Sequence, residues 1–168
     1  MADQPLVALF MGSKNDLPKL QNTISTLKEF GIPFSAHVMS AHRTPERVAK
    51  FASSAADNGY KVLLAAAGNA AHLAGVIAAH SVLPVIGIPV EGGALNGLDA
   101  LLATVQMPGG IPVATVAIGS GGAKNAALLA IQILALSDAG IKQKMLDFRA
   151  KQALAVEAAD RELQQELG

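Results

Sequence analysis

The run Leu6-Val7-Ala8-Leu9-Phe10-Met11, closed by Gly12, constrains the fold more than any other stretch. It has no polar break and therefore no face suited to water. Such a run reads as a parallel strand buried on both sides. Parallel neighbours require crossover connections, and the rest of the chain supplies them. Asp16 to Phe30 carries Leu17, Leu20, Ile24 and Leu27 at helical spacing, with Gly31 as its stop. Pro33–Met39 reads as a strand with two unlike faces: Phe34, Ala36 and Val38 alternate with Ser35, His37 and Met39. Thr44 to Asn58 reads as a helix with Val48, Phe51, Ala52 and Ala55 on one face, ended by Gly59. Pro45 suits its first turn and Thr44 its cap. Tyr60–Ala67, Pro84–Pro89 and Pro112–Ile118 are further strand signals. Ala70–His80, Leu95–Val105 and Ala123–Leu136 are the helices between and after them.

This alternation predicts an α/β fold: a flavodoxin-like three-layer α/β/α sandwich with a five-stranded parallel sheet and an extra C-terminal helix. No repeat, linker or low-complexity tract interrupts it, and 168 residues suit a single domain spanning 1–168. The extra helix, about residues 141–165, carries an apolar stripe of Ile141, Met145, Phe148 and Ala155, broken at Gln152. Lys142, Lys144, Asp147 and Arg149 stay polar. It either lies on its own domain or docks on a neighbouring subunit. The core is already complete without it, which favours docking. A hydrophobic content of 51% against 15% charged residues points the same way, toward a homo-oligomer.

Net charge is zero, so no broad field attracts nucleic acid or an anionic membrane. There is no cysteine, which excludes disulfides and thiolate chemistry and fits a cytoplasmic location. Met1 to Pro5 lacks a basic region followed by an apolar core, so no secretory signal is expected. The apolar run near Ala126–Leu136 is interrupted by Gln132 and falls far short of the roughly 18 residues of a membrane span.

In doubly wound sheets, ligands bind beyond the carboxyl ends of the strands, where strand order reverses. With order 2-1-3-4-5, three loops meet there: Gly12-Ser13-Lys14-Asn15-Asp16, Ser40-Ala41-His42-Arg43 and Gly68-Asn69-Ala70-Ala71-His72. The first is a short turn opening a helix. It suits a phosphate, or more simply a helix cap in which Asn15 or Asp16 satisfies first-turn amides. The nearby Arg43 favours the anion, with Asp16 then accepting from sugar hydroxyls. His42 beside Arg43, with a second histidine in an adjacent loop, reads as a proton carrier. Such a group typically contributes ~100- to 10,000-fold. His72, near a helix start, is disfavoured in its charged form and can donate while neutral. His37 and His80 read as structural.

Several other patterns fail. In Gly119-Ser120-Gly121-Gly122-Ala123-Lys124-Asn125, Lys does not follow the last Gly and no Ser or Thr follows Lys, so the Walker pattern is absent. The glycines then serve a ligand edge or close helix packing. No Gly-x-Gly-x-x-Gly follows the first strand, so a dinucleotide is not expected. No histidine pair has helical metal spacing, so no metal is expected. Ser13 and Ser40 lack the nucleophile-elbow pattern. Gly68-Asn69 stands where a receiver domain needs a phosphorylatable Asp.

Several blocks in order resemble the N5-carboxyaminoimidazole ribonucleotide mutase (PurE) family of purine biosynthesis. They are Met11-Gly12-Ser13-Lys14-Asn15-Asp16, Ser40-Ala41-His42-Arg43-Thr44-Pro45, Ala67-Gly68-Asn69-Ala70-Ala71-His72-Leu73, Val105-Gln106-Met107-Pro108 and Asn125-Ala126-Ala127-Leu128-Leu129-Ala130. The resemblance implies a flavodoxin-like subunit in a homo-octamer that needs no cofactor and moves a carboxylate from an exocyclic nitrogen to a ring carbon of an imidazole ribonucleotide. By position, Ser13, Asn15, Ser40 and Arg43 would hold the phosphate and Asp16 the ribose. His42 would shuttle the proton, and Ala71, His72 and Leu73 would line the pocket for the base and its carboxylate. Three positions depart from the family pattern: Asn15 where Ser is usual, Asn69 where Gly is usual and Ala74 where Pro is usual. Ala-Ala-His-Leu resembles the mutase branch rather than the branch that carboxylates aminoimidazole ribonucleotide directly. That carboxylase, and a non-catalytic module that only binds a ribonucleotide, are the alternatives.

Overall fold

The uninterrupted apolar run becomes β1 (Val7–Met11), every residue of which is buried. In the computed structural model, which describes residues 4–168, a 3₁₀ segment (Lys14–Leu20) and α1 (Gln21–Glu29) follow it. Then come β2 (Phe34–Val38), α2 (Pro45–Ser54), β3 (Val62–Gly68), α3 (Leu73–His80), β4 (Val85–Val90), α4 (Leu98–Val105) and β5 (Ala114–Thr115). The chain ends in α5 (Gly119–Leu134) and α6 (Ala139–Leu167). The five strands form one parallel sheet in the order β2-β1-β3-β4-β5. This is the flavodoxin-like arrangement the alternation predicts. The reading of Met1–Pro5 rests partly on residues outside those described.

Two compact units make up the chain, one ending at Ala130 and one spanning Ile131–Gly168. In the first, side chains alternate across the sheet. Ala8, Phe10, Leu63, Ala65 and Val85 pack with Val48, Ala52 and Ala55 of the second helical segment and Leu73, Ala74 and Ile77 of α3. Leu9, Leu64 and Ile86, also fully buried, point to the other face. There Thr23 of α1, itself buried, donates its hydroxyl to the Ala123 carbonyl of α5 at 2.7 Å. In the second unit, Asp138 caps α6 by accepting from the Ile141 N–H at 2.9 Å. Met145 is buried and Ile141 and Phe148 half-buried, as the stripe predicts, while Ala155 is exposed.

The local departures have physical causes. The helix expected from Asp16 starts as 3₁₀ because Pro18 lies inside it and cannot take an α-helical interior place without a clash. The third helix starts at Leu73 rather than Ala70, since Asn69 adopts a left-handed φ of 53°. The fifth strand shrinks to Ala114–Thr115. Pro112 brings no N–H to the ladder, and pairing is confined to Ile86 with Ala114 and Gly87 with Thr115. Thr44 takes the N-cap position of α2 without making the cap bond. In β2 the polar face is the inner one. The His37 ring centroid lies 4.7 Å from that of Phe51 and 5.8 Å from that of Phe10, whereas Val38 is 48% exposed. Among the described residues no helix is long and apolar enough to cross a membrane.

Burial and the neighbouring Arg47 hold the His37 imidazole below its ordinary value. Its Nε2 pairs with Ser35 Oγ at 2.8 Å, and Ser35 Oγ with the Tyr60 hydroxyl at 2.9 Å. A histidine depressed in the fold binds its proton more readily once unfolded. Its contribution to stability is therefore present above the unfolded value near 6.5 and is lost as pH falls through the lower folded value. Denaturant midpoints should decline below about pH 6.5, and more steeply in wild type than in His37→Gln.

Gly122 is the glycine of its cluster that packing requires, because a Cβ there would overlap the backbone carbonyl of Ala117. A Cβ at Gly121 meets nothing within 4 Å. Gly122→Ala should cost about 1–3 kcal/mol in urea denaturation. Gly121→Ala should be neutral or stabilising by up to about 1 kcal/mol.

Candidate active site

Three parallel strands end in register. Met11 pairs with Val38 on one side and with Ala66 on the other. Two further bonds carry the alignment past the strand ends: Met39 N–H to Met11 O at 3.0 Å and Gly12 N–H to Ala66 O at 3.2 Å. The loops after β1, β2 and β3 therefore leave the sheet side by side. They enclose a cleft of about 330 Å³ lined by Gly12, Ser13 and Asp16, by Ser40–Arg43 and by Ala67–Ala70 with Leu73.

Each loop is braced by its own side chains. Ser13 and Asp16 form a capping box: Ser13 Oγ accepts from Asn15 N–H at 3.2 Å and Asp16 Oδ2 accepts from Ser13 N–H at 3.0 Å. Cap and cleft-lining roles thus fall on the same two residues. Ser40 Oγ accepts from the backbone N–H of His42 at 3.3 Å and of Arg43 at 3.2 Å. The Thr44 hydroxyl, instead of capping α2, accepts from Ser40 N–H at 2.9 Å and donates to Ser40 O at 3.0 Å. The Arg43 guanidinium spans two loops, donating to Gly12 O at 2.9 Å. The Lys19 ammonium donates to the Glu91 carbonyl.

His42 Nε2 lies 2.8 Å from His72 Nδ1, with the rings nearly perpendicular at 86°. One nitrogen must donate and the other accept, so the contact holds a single proton between them. His72 stands at the N-cap position of α3 without a side-chain cap bond, which leaves its ring to His42. Both histidines are exposed.

Of the residues picked out from sequence, Ser13, Asp16, Ser40, His42, Arg43 and Leu73 line the cleft, and His72 meets it through His42. Asn15 is exposed and falls outside the lining, with its N–H turned to Ser13. Ala71 is 1% exposed and also falls outside it. Asn69, marked in the sequence as standing where Gly is usual, has a left-handed backbone that turns the third loop and brings its side chain toward Gly93, where a Cβ would lie 2.5 Å from Asn69 Oδ1. Asn tolerates that backbone better than other side chains do.

Burial pushes the Asp16 carboxyl up from its ordinary value, against the Ser13 N–H bond and the charges of Lys19 and Arg43. No group of three His, Cys, Asp or Glu among the described residues is placed to hold a metal ion.

Fold and cleft define a doubly wound α/β protein with a polar pocket at the reversal of strand order, the position where such sheets bind small ligands. A family model described as AIR carboxylase matches residues 6–155, and the chain belongs to that family. It is 49% identical over 164 residues to the N5-carboxyaminoimidazole ribonucleotide mutase of Pyrococcus horikoshii, covering 98% of this chain and 92% of that protein. It is 51% identical over 146 residues to the protein of the same name from Escherichia coli strain K12, covering 87% of this chain and 86% of the relative. The crystal structure of Treponema denticola PurE superposes with a TM-score of 0.86 at 30% identity, covering 95% of this chain and 98% of that one.

A carboxyl raised in the fold favours folding only below its unfolded value, and that contribution is lost as pH rises through the folded value. Ionised Asp16 therefore opposes folding at neutral pH. Asp16→Asn keeps an acceptor for Ser13 N–H and should melt at or above wild type at pH 7. The difference should shrink as pH falls through the raised folded value, where Asp16 takes up its proton. Affinity for a ribose-bearing ligand should fall in the same variant, measured by titration calorimetry.

Proposed function

We propose that this protein converts N5-carboxyaminoimidazole ribonucleotide to 4-carboxy-5-aminoimidazole ribonucleotide, an isomerisation of purine biosynthesis. The observation that carries the reading is the His42 imidazole at the rim of the cleft lined by Ser13, Asp16, Ser40 and Arg43. The names of relatives that are half identical over most of the chain support the substrate. Arg43, Ser13, Ser40 and Asn15 bind the phosphate, and Asp16 accepts from the ribose hydroxyls. Ala71, His72 and Leu73 flank the base and its carboxylate.

The reaction balances with one proton carrier. His42 gives a proton to the exocyclic nitrogen as the N–carboxylate bond breaks and carbon dioxide leaves. The ring carbon of the aminoimidazole attacks that carbon dioxide, forming the carbon–carbon bond. His42 then takes the proton that this carbon carried, which restores its starting state. The small residues of the Gly68–His72 turn keep carbon dioxide beside the ring and water out. No cofactor enters the cycle.

The protein works in the cytoplasm as a homo-octamer, its whole chain one functional domain and α6 docked on a neighbouring subunit. Leu98, Leu102 and Val105 on α4 are each 48–49% exposed, and copies of the chain would cover them. The family description also names a carboxylase. That second reading differs in using aminoimidazole ribonucleotide and free carbon dioxide.

Pure protein supplied with N5-carboxyaminoimidazole ribonucleotide, without ATP or added bicarbonate, should form the carbon-carboxylated isomer. Efficient use of aminoimidazole ribonucleotide plus carbon dioxide alone would favour the carboxylase. His42→Asn should fold and bind substrate but lose at least about 100-fold in kcat. Near-wild-type turnover in that variant would remove His42 from the chemistry.

A further inference from the structure

Helix α6 carries a second apolar line, separate from the stripe centred on Met145. Leu146, Ala153, Val156, Leu163 and Leu167 recur at the alternating steps of three and four that make a coiled-coil seam. Two charges interrupt the line at seam positions, Arg149 and Asp160. The line faces outward: Leu146 is 54%, Val156 71%, Leu163 48% and Leu167 75% exposed.

The charge pattern decides which partner fits. Lys142, Lys144 and Lys151 join Arg149 in the first half of the helix, with Asp147 as the one acid there. Glu157, Glu162 and Glu166 join Asp160 in the second, with Arg161 as the one base, so the first half is net basic and the second net acidic. A parallel partner would set like halves together. An antiparallel copy sets basic half against acidic half. Its register is fixed by the seam itself: with the two-fold axis between Leu154 and Ala155, Arg149 of one helix faces Asp160 of the other. The same register places Leu146 opposite Leu163 and Ala153 opposite Val156. Every one of these layers sets one seam position against the complementary one, as antiparallel pairing requires. Within one helix Arg149 and Asp160 are eleven residues apart, about 16 Å along the axis, and do not meet. Asp160 has a 3.5 Å bond from Gln164 on its own helix, which leaves its carboxylate turned to solvent.

We propose that α6 pairs antiparallel with α6 of a second copy of this chain, with Arg149 and Asp160 forming reciprocal salt bridges in the seam. The family match ends at residue 155, so Val156, Asp160, Leu163 and Leu167 lie beyond the segment that defines the family. The proposal rests only on the oligomeric part of the reading above and not on the reaction.

The test uses the full chain in sedimentation measurements over a dilution series. Arg149→Asp and Asp160→Arg should each raise the dissociation constant of the helix-mediated contact at least tenfold. The double variant R149D/D160R should return it to within about threefold of wild type, because the pair is restored with its signs exchanged. The chain lacks cysteine, so A153C and V156C, co-expressed with tags of different mass, give a second measure. Oxidation should yield the mixed disulfide. Self-crosslinked A153C in its place would mean a parallel pair and overturn the proposal. So would a double variant no tighter than the singles. An oligomeric wild type indifferent to both single changes would overturn the seam alone, and a monomeric wild type would overturn the oligomer as well.

Discussion

Everything at the cleft depends on one alignment: the backbone ladder that sets Met11 beside Val38 and Ala66. Parallel strands paired in register end together, and the chains leaving them are neighbours whatever their sequence. Ser13 and His42 are thus brought to one cleft, and His72 to His42, by strand pairing in which none of the three takes part. The alignment survives because β1 is buried on both faces. A shift of one residue along β1 would turn Phe10 and Leu9 to opposite layers, and each layer is already filled.

The same economy explains why the residues that brace the first two loops also line the cleft. The first loop needs a cap for the segment that follows, and Ser13 with Asp16 provides it. A capping box orients a hydroxyl and a carboxylate at a helix start, where backbone N–H groups also point. The second loop needs its own brace, and Ser40 and Thr44 supply that through reciprocal bonds. Arg43 then joins the two loops through Gly12 O. Partial burial of the Asp16 carboxylate works against the fold at neutral pH. A carboxylate kept there despite that cost is one suited to accepting hydrogen bonds from a ligand.

Much of this was legible in residue order alone. The buried run of β1, the helical spacing of Val48, Ala52 and Ala55 and the glycine stops specify the alternation, and right-handed crossovers do the rest. Convergence of Ser13, Ser40, His42 and Arg43 followed from topology. What could not be read were choices between equivalent donors and acceptors. Thr44 looks like a cap, yet its hydroxyl serves Ser40 because the loop returns close enough to bind it. Nothing in the spacing says that Ala71 turns inward while Asn69 bends the loop, since that depends on the left-handed backbone at residue 69. The polar inner face of β2 was equally hidden, because His37 is accommodated by Phe51 only once the following helix, α2, folds back over the strand.

The histidine pair limits how a single imidazole can serve two proton transfers. When His72 holds its proton on Nε2, its Nδ1 accepts from His42 Nε2, and the 2.8 Å contact persists whether His42 is neutral or charged. In the proposed reaction His42 would then exchange protons with substrate through Nδ1, its remaining nitrogen. In the opposite arrangement His72 donates into His42 Nε2. A second proton on His42 would then have to displace that bond. Only the first tautomer lets His42 cycle between its two states without losing its support, so the proton on the far side of His72 becomes a requirement of the proposed reaction. In that arrangement His72 keeps one of the two His42 nitrogens occupied, and the proposed reaction would route both transfers through the other.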